Sequence, residues 1–279
     1  MLAEFIRLFR KHWTADVALA LLVITTVWWI ILHPFTPSEV DAVINQRYIW
    51  GSLYQLIALW GAICGIFIAG LWGGNRSVIG RAIIAFSVGL LLQNLGQSVY
   101  SYYNLVAHIQ APYPSIGDIG YFGSIFAYLY GAFLLAKASG ARVSLQSYRS
   151  KFLAVLLPVI MLGISYALFL SHYEFDWSQP LKTFLDFGYP LGQACYVSVA
   201  VLTLLLSRNI LGGVMRGPIL AILIALIVQY ASDFNFLYQA NQGTWFVGGY
   251  GDEMYAISYF LMSMALIYIG HTFAKIKDS

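Results

Sequence analysis

The sequence predicts an all-α integral membrane protein of about eight transmembrane helices, with both termini on the cytoplasmic side. Its composition is the first observation behind this fold class: 60% of the 279 residues are hydrophobic and 10% are charged, which is too few polar groups to cover a water-facing surface. The second is a series of apolar stretches of about 20 residues, the length that crosses a bilayer. The third is the concentration of Lys and Arg in alternate loops.

Eight stretches qualify as spans, and clusters containing Gly or Pro separate them. These breakers include His33-Pro34, Pro112-Tyr113-Pro114 and Gly212-Gly213. A basic start followed by an apolar run resembles a signal peptide, but no small-residue cleavage site follows, so we expect the first helix to be retained. The predicted spans are residues 15–33, 51–73, 79–106, 118–137, 151–171, 184–207, 217–239 and 253–273.

The distribution of basic residues sets the predicted orientation. With an even number of helices and a cytoplasmic N-terminus, thirteen of the fifteen Lys and Arg residues fall in cytoplasmic segments. The outer segments hold Arg47 and Lys182, and most acidic residues fall on the outer side. The positive-inside rule therefore places both termini in the cytoplasm. We expect one domain over residues 1–279, embedded in the lipid bilayer of a bacterial cytoplasmic (inner) membrane.

An internal repeat of about 67 residues follows the first two helices. Arginines open the third, fifth and seventh helices, and aspartates open the fourth, sixth and eighth. Each aspartate begins an Asp-x-x-Tyr motif. The predicted division is an N-terminal hairpin, 1–74, and three parallel hairpins, 75–140, 141–210 and 211–279. The repeating residues are Arg81, Arg149 and Arg216, then the pairs Asp118 and Tyr121, Asp186 and Tyr189, and Asp252 and Tyr255.

Two interpretations of the Asp-x-x-Tyr motif stay open. An aspartate at a helix N-terminus accepts hydrogen bonds from free backbone N–H groups and complements the helix dipole, while a tyrosine one turn later suits the membrane interface. This structural role explains all three copies without a ligand. The alternative is that the three Asp and Tyr pairs surround an outer cavity.

Polar side chains inside the predicted spans concentrate in the outer halves of the third and seventh helices. Such groups are costly in a membrane and tend to face the interior of a helix bundle. We expect them either to line an outward-facing polar and aromatic ligand pocket or to form a hydrogen-bond network that packs the helices together. The candidate ligand-binding residues are Gln93, Gln97, Tyr100 and Asn104 in the third helix, and Gln229, Asp233 and Tyr238 in the seventh.

Several chemistries lack support in the sequence. Cys64 and Cys195 have no C-x-x-C partner, and the histidines lack metal-ligand spacing, so we expect no metal site and no cofactor. No Lys/Arg-rich run points to nucleic acid. Gly249-Tyr250-Gly251-Asp252 matches the G-x-G-D pattern of intramembrane aspartyl proteases, but the second catalytic aspartate motif is missing. We therefore expect no enzymatic activity.

The segment from Pro112 to Tyr121, Pro-Tyr-Pro-Ser-Ile-Gly-Asp-Ile-Gly-Tyr, resembles a P-x-P-S-x-x-D-x-x-Y element of multi-pass membrane sensory modules. Those modules lie N-terminal to bacterial diguanylate cyclases and histidine kinases. The resemblance is strong over about 25 residues and topological over the rest of the chain. It implies that the Asp118 segment belongs to the outer face of a sensor. The sequence ends soon after the eighth helix, without an output domain, as a stand-alone relative or a truncated chain would.

These observations favour a bacterial inner-membrane sensory or ligand-binding module without catalytic activity of its own. A small-molecule or lipid-like ligand would enter from the outer side, and a cytoplasmic signalling partner or a homo-oligomer would receive the response. A small transporter or channel is the first alternative, although the inner helix halves are nearly uniformly apolar. A structural subunit of a membrane complex is the second.

Overall fold

A computed structural model describes residues 13–33, 35–37, 40–139, 148–171, 173, 175, 177–207 and 215–278, and this part of the chain is helical without strands. The arginines at 142 and 208 lie outside the described residues. The described helices are α1 Trp13–Ile31, α2 Asp41–Leu53, α3 Leu56–Leu71, α4 Val78–Leu105, α5 Gly117–Ala138, α6 Tyr148–Ser165, α7 Pro180–Ser207, α8 Arg216–Asn241 and α9 Tyr250–Asp278. A π-helical turn, Tyr166–Leu170, extends α6.

The predicted count of eight spans is confirmed for the described residues, because eight helical segments are long and apolar enough to cross a membrane. α2 and α3 count as one span, Asp41–Leu71, since Tyr54 and Gln55 between them keep helical backbone angles. This span begins ten residues before the predicted residue 51. α7 likewise begins at Pro180 rather than 184, and proline is favoured at the first position of a helix.

Arg47 explains why the second span starts early. The sequence places it in an outer loop, but in the structure it lies within α2 and is only 3% exposed. Its guanidinium donates hydrogen bonds to the carbonyls of Leu32, His33 and Thr36, at 3.2, 3.0 and 2.7 Å. These oxygens lie just beyond the end of α1, at Ile31, where backbone carbonyls lack intrahelical partners and a positive charge is favourable. The side chain therefore belongs to the packed structure rather than to a solvated loop.

Within the described residues, six helices form a closed ring of packed neighbours, in the order α3, α4, α5, α7, α8, α9 and back to α3. α1 packs outside this ring against α9 and α3, and α6 packs outside it against α7. α9 is the most buried span, whereas α1 and the span that contains α6 are the least buried. The interior of the ring is the place where polar groups would be kept from lipid.

The three aspartates of the repeat lie at the same end of the bundle. α5 and α7 run in the same direction, since Tyr128 packs against Tyr196 and Phe122 lies beside Gly188. α9 starts at the same end, because its Met254 carbonyl meets Ser232 near the end of α8. We call this end, where the three aspartates of the repeat lie, the Asp118 end. We call the opposite end, where α4 and α8 begin, the Arg81 end.

Candidate functional site

Polar side chains from five helices meet inside the ring. Gln93 and Gln97 are four residues apart on α4, and Gln229 and Asp233 are four apart on α8, so each pair shares one helix face. Those faces point inward: Gln93, Gln229 and Asp233 are 4%, 2% and 5% exposed. We call the group the polar cluster. Its members are Gln93, Gln97, Tyr121, Ser124, Tyr196, Gln229, Asp233, Tyr255, Ser258 and Tyr259.

In the hairpin of α4 and α5, both glutamines bond across to the partner helix. Gln93 Nε2 donates to Ser124 Oγ at 2.8 Å, and the Tyr121 hydroxyl donates to Gln97 Oε1 at 2.6 Å. Gln93 Oε1 accepts a further bond from Tyr259 on α9 at 3.0 Å. The buried side-chain amide of Gln93 therefore connects the hairpin of α4 and α5 to α9, in the last hairpin.

The hairpin of α8 and α9 uses the corresponding positions. Ser258 Oγ donates to Gln229 Oε1 at 2.5 Å, and the Tyr255 hydroxyl donates to Asp233 Oδ1 at 3.0 Å. In both hairpins a tyrosine of the Asp-x-x-Tyr motif bonds to the polar residue of the preceding helix that lies nearer the Asp118 end. A serine three residues later bonds to the polar residue that lies nearer the Arg81 end. The two hairpins thus share one hydrogen-bonding scheme, with Asp233 in the place of Gln97.

Asp233 is the charged centre of the polar cluster. Its Oδ2 accepts a 2.6 Å hydrogen bond from Tyr196 on α7, and its Oδ1 accepts bonds from Tyr255 and from Gln229, both at 3.0 Å. Among the described residues these three donors are neutral. A negative charge on a buried carboxylate with neutral partners is costly, because the surrounding medium solvates it poorly. Any change in that charge alters hydrogen bonds on α7, α8 and α9 together.

Tyr128 brings an unpartnered hydroxyl to the same region. The side chain is 1% exposed, and its hydroxyl has no hydrogen-bond partner among the described residues. Its ring packs edge-on against the ring of Tyr196, with centroids 6.0 Å apart. It reaches this depth because Gly89 on α4 has no side chain: a Cβ there would lie 2.2 Å from the Tyr128 ring. Buried hydroxyls without a partner are uncommon and call for an explanation.

The middle hairpin departs from the scheme. α6 carries Met161 and Ser165 where α4 carries its two glutamines, so Tyr189 lacks a matching acceptor in its own hairpin. Its hydroxyl instead donates to Oδ1 of Asp118 on α5 at 2.7 Å. In return, Asp186 on α7 accepts a 2.7 Å bond from Tyr113, in the segment before α5. Burial, together with this hydrogen bond, raises the pKa of the Tyr113 hydroxyl.

Two of the three motif aspartates make helix-capping bonds. Asp118 Oδ2 accepts from the backbone N–H of Ser115 at 2.7 Å, and Asp252 Oδ2 accepts from that of Gly248 at 2.8 Å. Both bonds reach back to the N–H of the residue two positions before the first helical residue, which resembles the backward bond of a capping box. This geometry is the one expected if the motif has a structural role. The motif tyrosines, by contrast, bond to side chains on neighbouring helices.

The predicted ligand-binding residues divide into two groups. Gln93, Gln97, Gln229 and Asp233 all enter the polar cluster. Tyr100, Asn104 and Tyr238 do not: the Tyr100 ring packs on Trp245, Asn104 lies half-buried near the end of α4, and Tyr238 is 49% exposed. Tyr238 follows Asp233 by five residues, which rotates it about 140° around the helix and away from the interior.

Sequence reasoning missed Tyr196 and Tyr259 as members of the site. Both are buried, at 0% and 1% exposed, and both donate to acceptors on other helices. Tyr196 follows the motif residue Tyr189 by seven positions and Tyr259 follows Tyr255 by four, so each shares a helix face with a motif tyrosine. That spacing was a usable signal.

Searches of protein-family models, curated proteins and solved structures return no match for this chain. The resemblance of the Pro112–Tyr121 segment to sensory modules therefore stays an expectation. The case for a function depends on the geometry of the polar cluster, which concentrates one carboxylate, four tyrosine hydroxyls and three amides within the ring.

Proposed function

We propose that this chain is a sensory module of the bacterial cytoplasmic membrane, with no catalytic activity of its own, and that the polar cluster is its receptor centre. The observation that carries the proposal is the hydrogen bonding of Asp233 to donors on α7, α8 and α9. An ionisable side chain inside a membrane bundle is expensive and usually functional. A stimulus that alters this carboxylate changes contacts on three helices at once.

Charge supports the orientation in which the Asp118 end faces outward. Lys137, Arg216 and Lys277 lie at the Arg81 end, while Asp118 and Asp252 lie at the other. By the positive-inside rule, the Arg81 end and both termini would be cytoplasmic. The shared hydrogen-bonding scheme of the first and last hairpins supports the proposed parallel repeat.

The half of the ring nearest the Arg81 end argues against a transport path. Its interior is mainly apolar, and its apolar side chains that are 2% exposed or less include Ile83, Phe86, Leu90, Ile219, Ile222, Leu223 and Leu226. The buried hydroxyls in this half, those of Ser87, Thr203 and Thr272, donate to carbonyls of their own helices. A channel or transporter would need polar groups through both halves to carry a hydrated solute. We therefore favour a one-sided site whose occupancy shifts the helices, over a transporter or a structural subunit.

A change at the receptor centre should reach the cytoplasmic side, where a signalling partner or a second copy would respond. We suggest spin labels at Lys137→Cys on α5 and Lys277→Cys on α9, both exposed, in a background with Cys64→Ala and Cys195→Ala. Pulsed electron–electron double resonance in nanodiscs then measures the distance between these helix ends. Asp233→Asn, which removes the charge with little change in shape, should shift the distribution.

Tyr238→Phe on the exposed face of α8 is the matched control and should leave the distance unchanged. Identical distributions for Asp233→Asn and the unsubstituted protein would mean that the polar cluster only packs helices, and the sensory proposal would fail. If proteoliposomes that contain the protein showed solute flux, the transporter alternative would be favoured over the sensory proposal.

A further inference from the structure

The charge of Asp233 lacks a counter-charge in the surroundings that the structure describes. The ionisable side chains that face it are tyrosines from each neighbouring helix: Tyr128 on α5, Tyr196 on α7, Tyr230 on α8, and Tyr255 and Tyr259 on α9. Tyrosine hydroxyls donate hydrogen bonds but bring no positive charge. An isolated negative charge in a membrane interior is normally neutralised by a bound cation or by protonation.

Oxygen atoms that could hold a cation converge on this carboxylate. Asp233 supplies two, and Tyr196 and Tyr255 place hydroxyl oxygens at 2.6 and 3.0 Å from them. Tyr128 adds a hydroxyl that is buried and unpartnered, on a ring that packs against the ring of Tyr196, which itself bonds to Asp233. Hard cations prefer oxygen ligands of these types. A buried hydroxyl without a partner and a carboxylate without a counter-charge, connected through Tyr196, form the arrangement expected where a small ligand completes the bonding.

We infer that the polar cluster binds a small monovalent cation at Asp233, with the Tyr128 hydroxyl as an additional ligand. One carboxylate balances one positive charge, so a divalent ion would leave an excess. The size limit comes from the packing: the cluster side chains bond to one another, and the Tyr128 ring lies against Gly89. The inference rests on the proposed function only in that it uses the same site. It names the ligand as an alkali-metal ion.

Thermal unfolding of the detergent-solubilised protein tests this inference. Na⁺ replaces N-methyl-D-glucamine at constant ionic strength, and the midpoint is followed by tryptophan fluorescence. A ligand that binds only the folded state raises the midpoint by roughly 3 °C for each tenfold increase above half-saturation. We expect this Na⁺ dependence to disappear in Asp233→Asn and to shift to higher concentration in Tyr128→Phe. Tyr238→Phe is the control and should keep it.

The same variants distinguish a bound alkali-metal ion from simple protonation of Asp233. If the midpoint ignores Na⁺, Li⁺ and K⁺ but follows pH through a transition that Asp233→Asn removes, the carboxylate is neutralised by a proton and the inference of a cation site is overturned. If neither alkali ions nor pH produce a response that depends on Asp233, the inference is overturned. Tyr128→Phe guards against a folding artefact, because it removes a hydroxyl that has no partner in the described structure. A distance shift in the spin-labelled Asp233→Asn protein would still support the sensory proposal.

Discussion

The hydroxyl of Tyr189 on α7 donates a 2.7 Å hydrogen bond to Oδ1 of Asp118 on α5, and so leaves its own hairpin to find an acceptor. Tyr121 and Tyr255, at the corresponding positions, bond within their hairpins. The difference arises because α6 offers no carboxamide or carboxylate at the matching positions. The bond from Tyr189 to Asp118 and the bond from Tyr113 to Asp186 together connect α7 to the first repeat hairpin in both directions.

Tyr189→Phe should loosen the packing of α5 against α7. The substitution removes one hydrogen bond to a carboxylate, and interhelical hydrogen bonds in membranes are worth about 1 kcal/mol. We expect a fall of about that size in the unfolding free energy measured by SDS titration. Tyr130→Phe, on the exposed face of α5, should be neutral. A double-mutant cycle with Asp118→Asn should show coupling, and strict additivity would contradict the assigned bond.

The raised pKa of Tyr113 predicts a loss of stability at alkaline pH. Below about pH 10, the usual tyrosine pKa, the hydroxyl is protonated in both states and its bond to Asp186 contributes fully. Above that pH the unfolded state loses its proton first, so stability falls as the pH rises towards the folded-state pKa. Unfolding free energies between pH 8 and 11 should decline less steeply in Tyr113→Phe. An equal decline would be evidence against the assignment, and exposed Tyr102→Phe serves as control.

Gly89→Ala should strain the contact between α4 and α5. The added Cβ would lie 2.2 Å from the Tyr128 ring, which cannot retreat because it is buried against Tyr196. Overpacking of this kind costs about 1–3 kcal/mol. Gly163→Ala on α6 is a matched control, since a Cβ there meets nothing within 4 Å, and it should be neutral or stabilising. Thermal midpoints of the two variants would decide, and equal midpoints would refute the close contact.

Arg47→Met should release the carboxyl end of α1. It keeps an unbranched apolar stem but leaves the carbonyls of Leu32, His33 and Thr36 without their common donor. We expect a loss of about 2 kcal/mol or more, since charged hydrogen bonds are lost at a buried position. Iodide quenching of tryptophan fluorescence should increase as Trp29 becomes accessible. The same change at the exposed Arg76 should have little effect.

Helix number could be predicted from the sequence because length and hydropathy alone decide which segments fit a bilayer. Gln93, Gln97, Gln229 and Asp233 could be predicted as a group because residues four apart share a helix face. The same reasoning could have excluded Tyr238, because it follows Asp233 by five residues and therefore points about 140° away from it around the helix. Arg47 was misplaced because the counting of basic residues treats each one as a solvated charge in a loop. This side chain instead donates to backbone carbonyls just beyond α1, and hydropathy does not reveal such bonds.

The central place of α9 bears on how the protein is made. This helix contacts α1, α3, α4 and α8, yet the ribosome synthesises it after all of them. Until it enters the membrane, Gln93 lacks Tyr259, Gln229 lacks Ser258 and Asp233 lacks Tyr255. Helices inserted earlier therefore expose these polar groups to lipid or to the insertion machinery until α9 is in place. A nascent chain stalled before Tyr250 would carry these exposed groups as a mark that membrane proteases and chaperones could recognise.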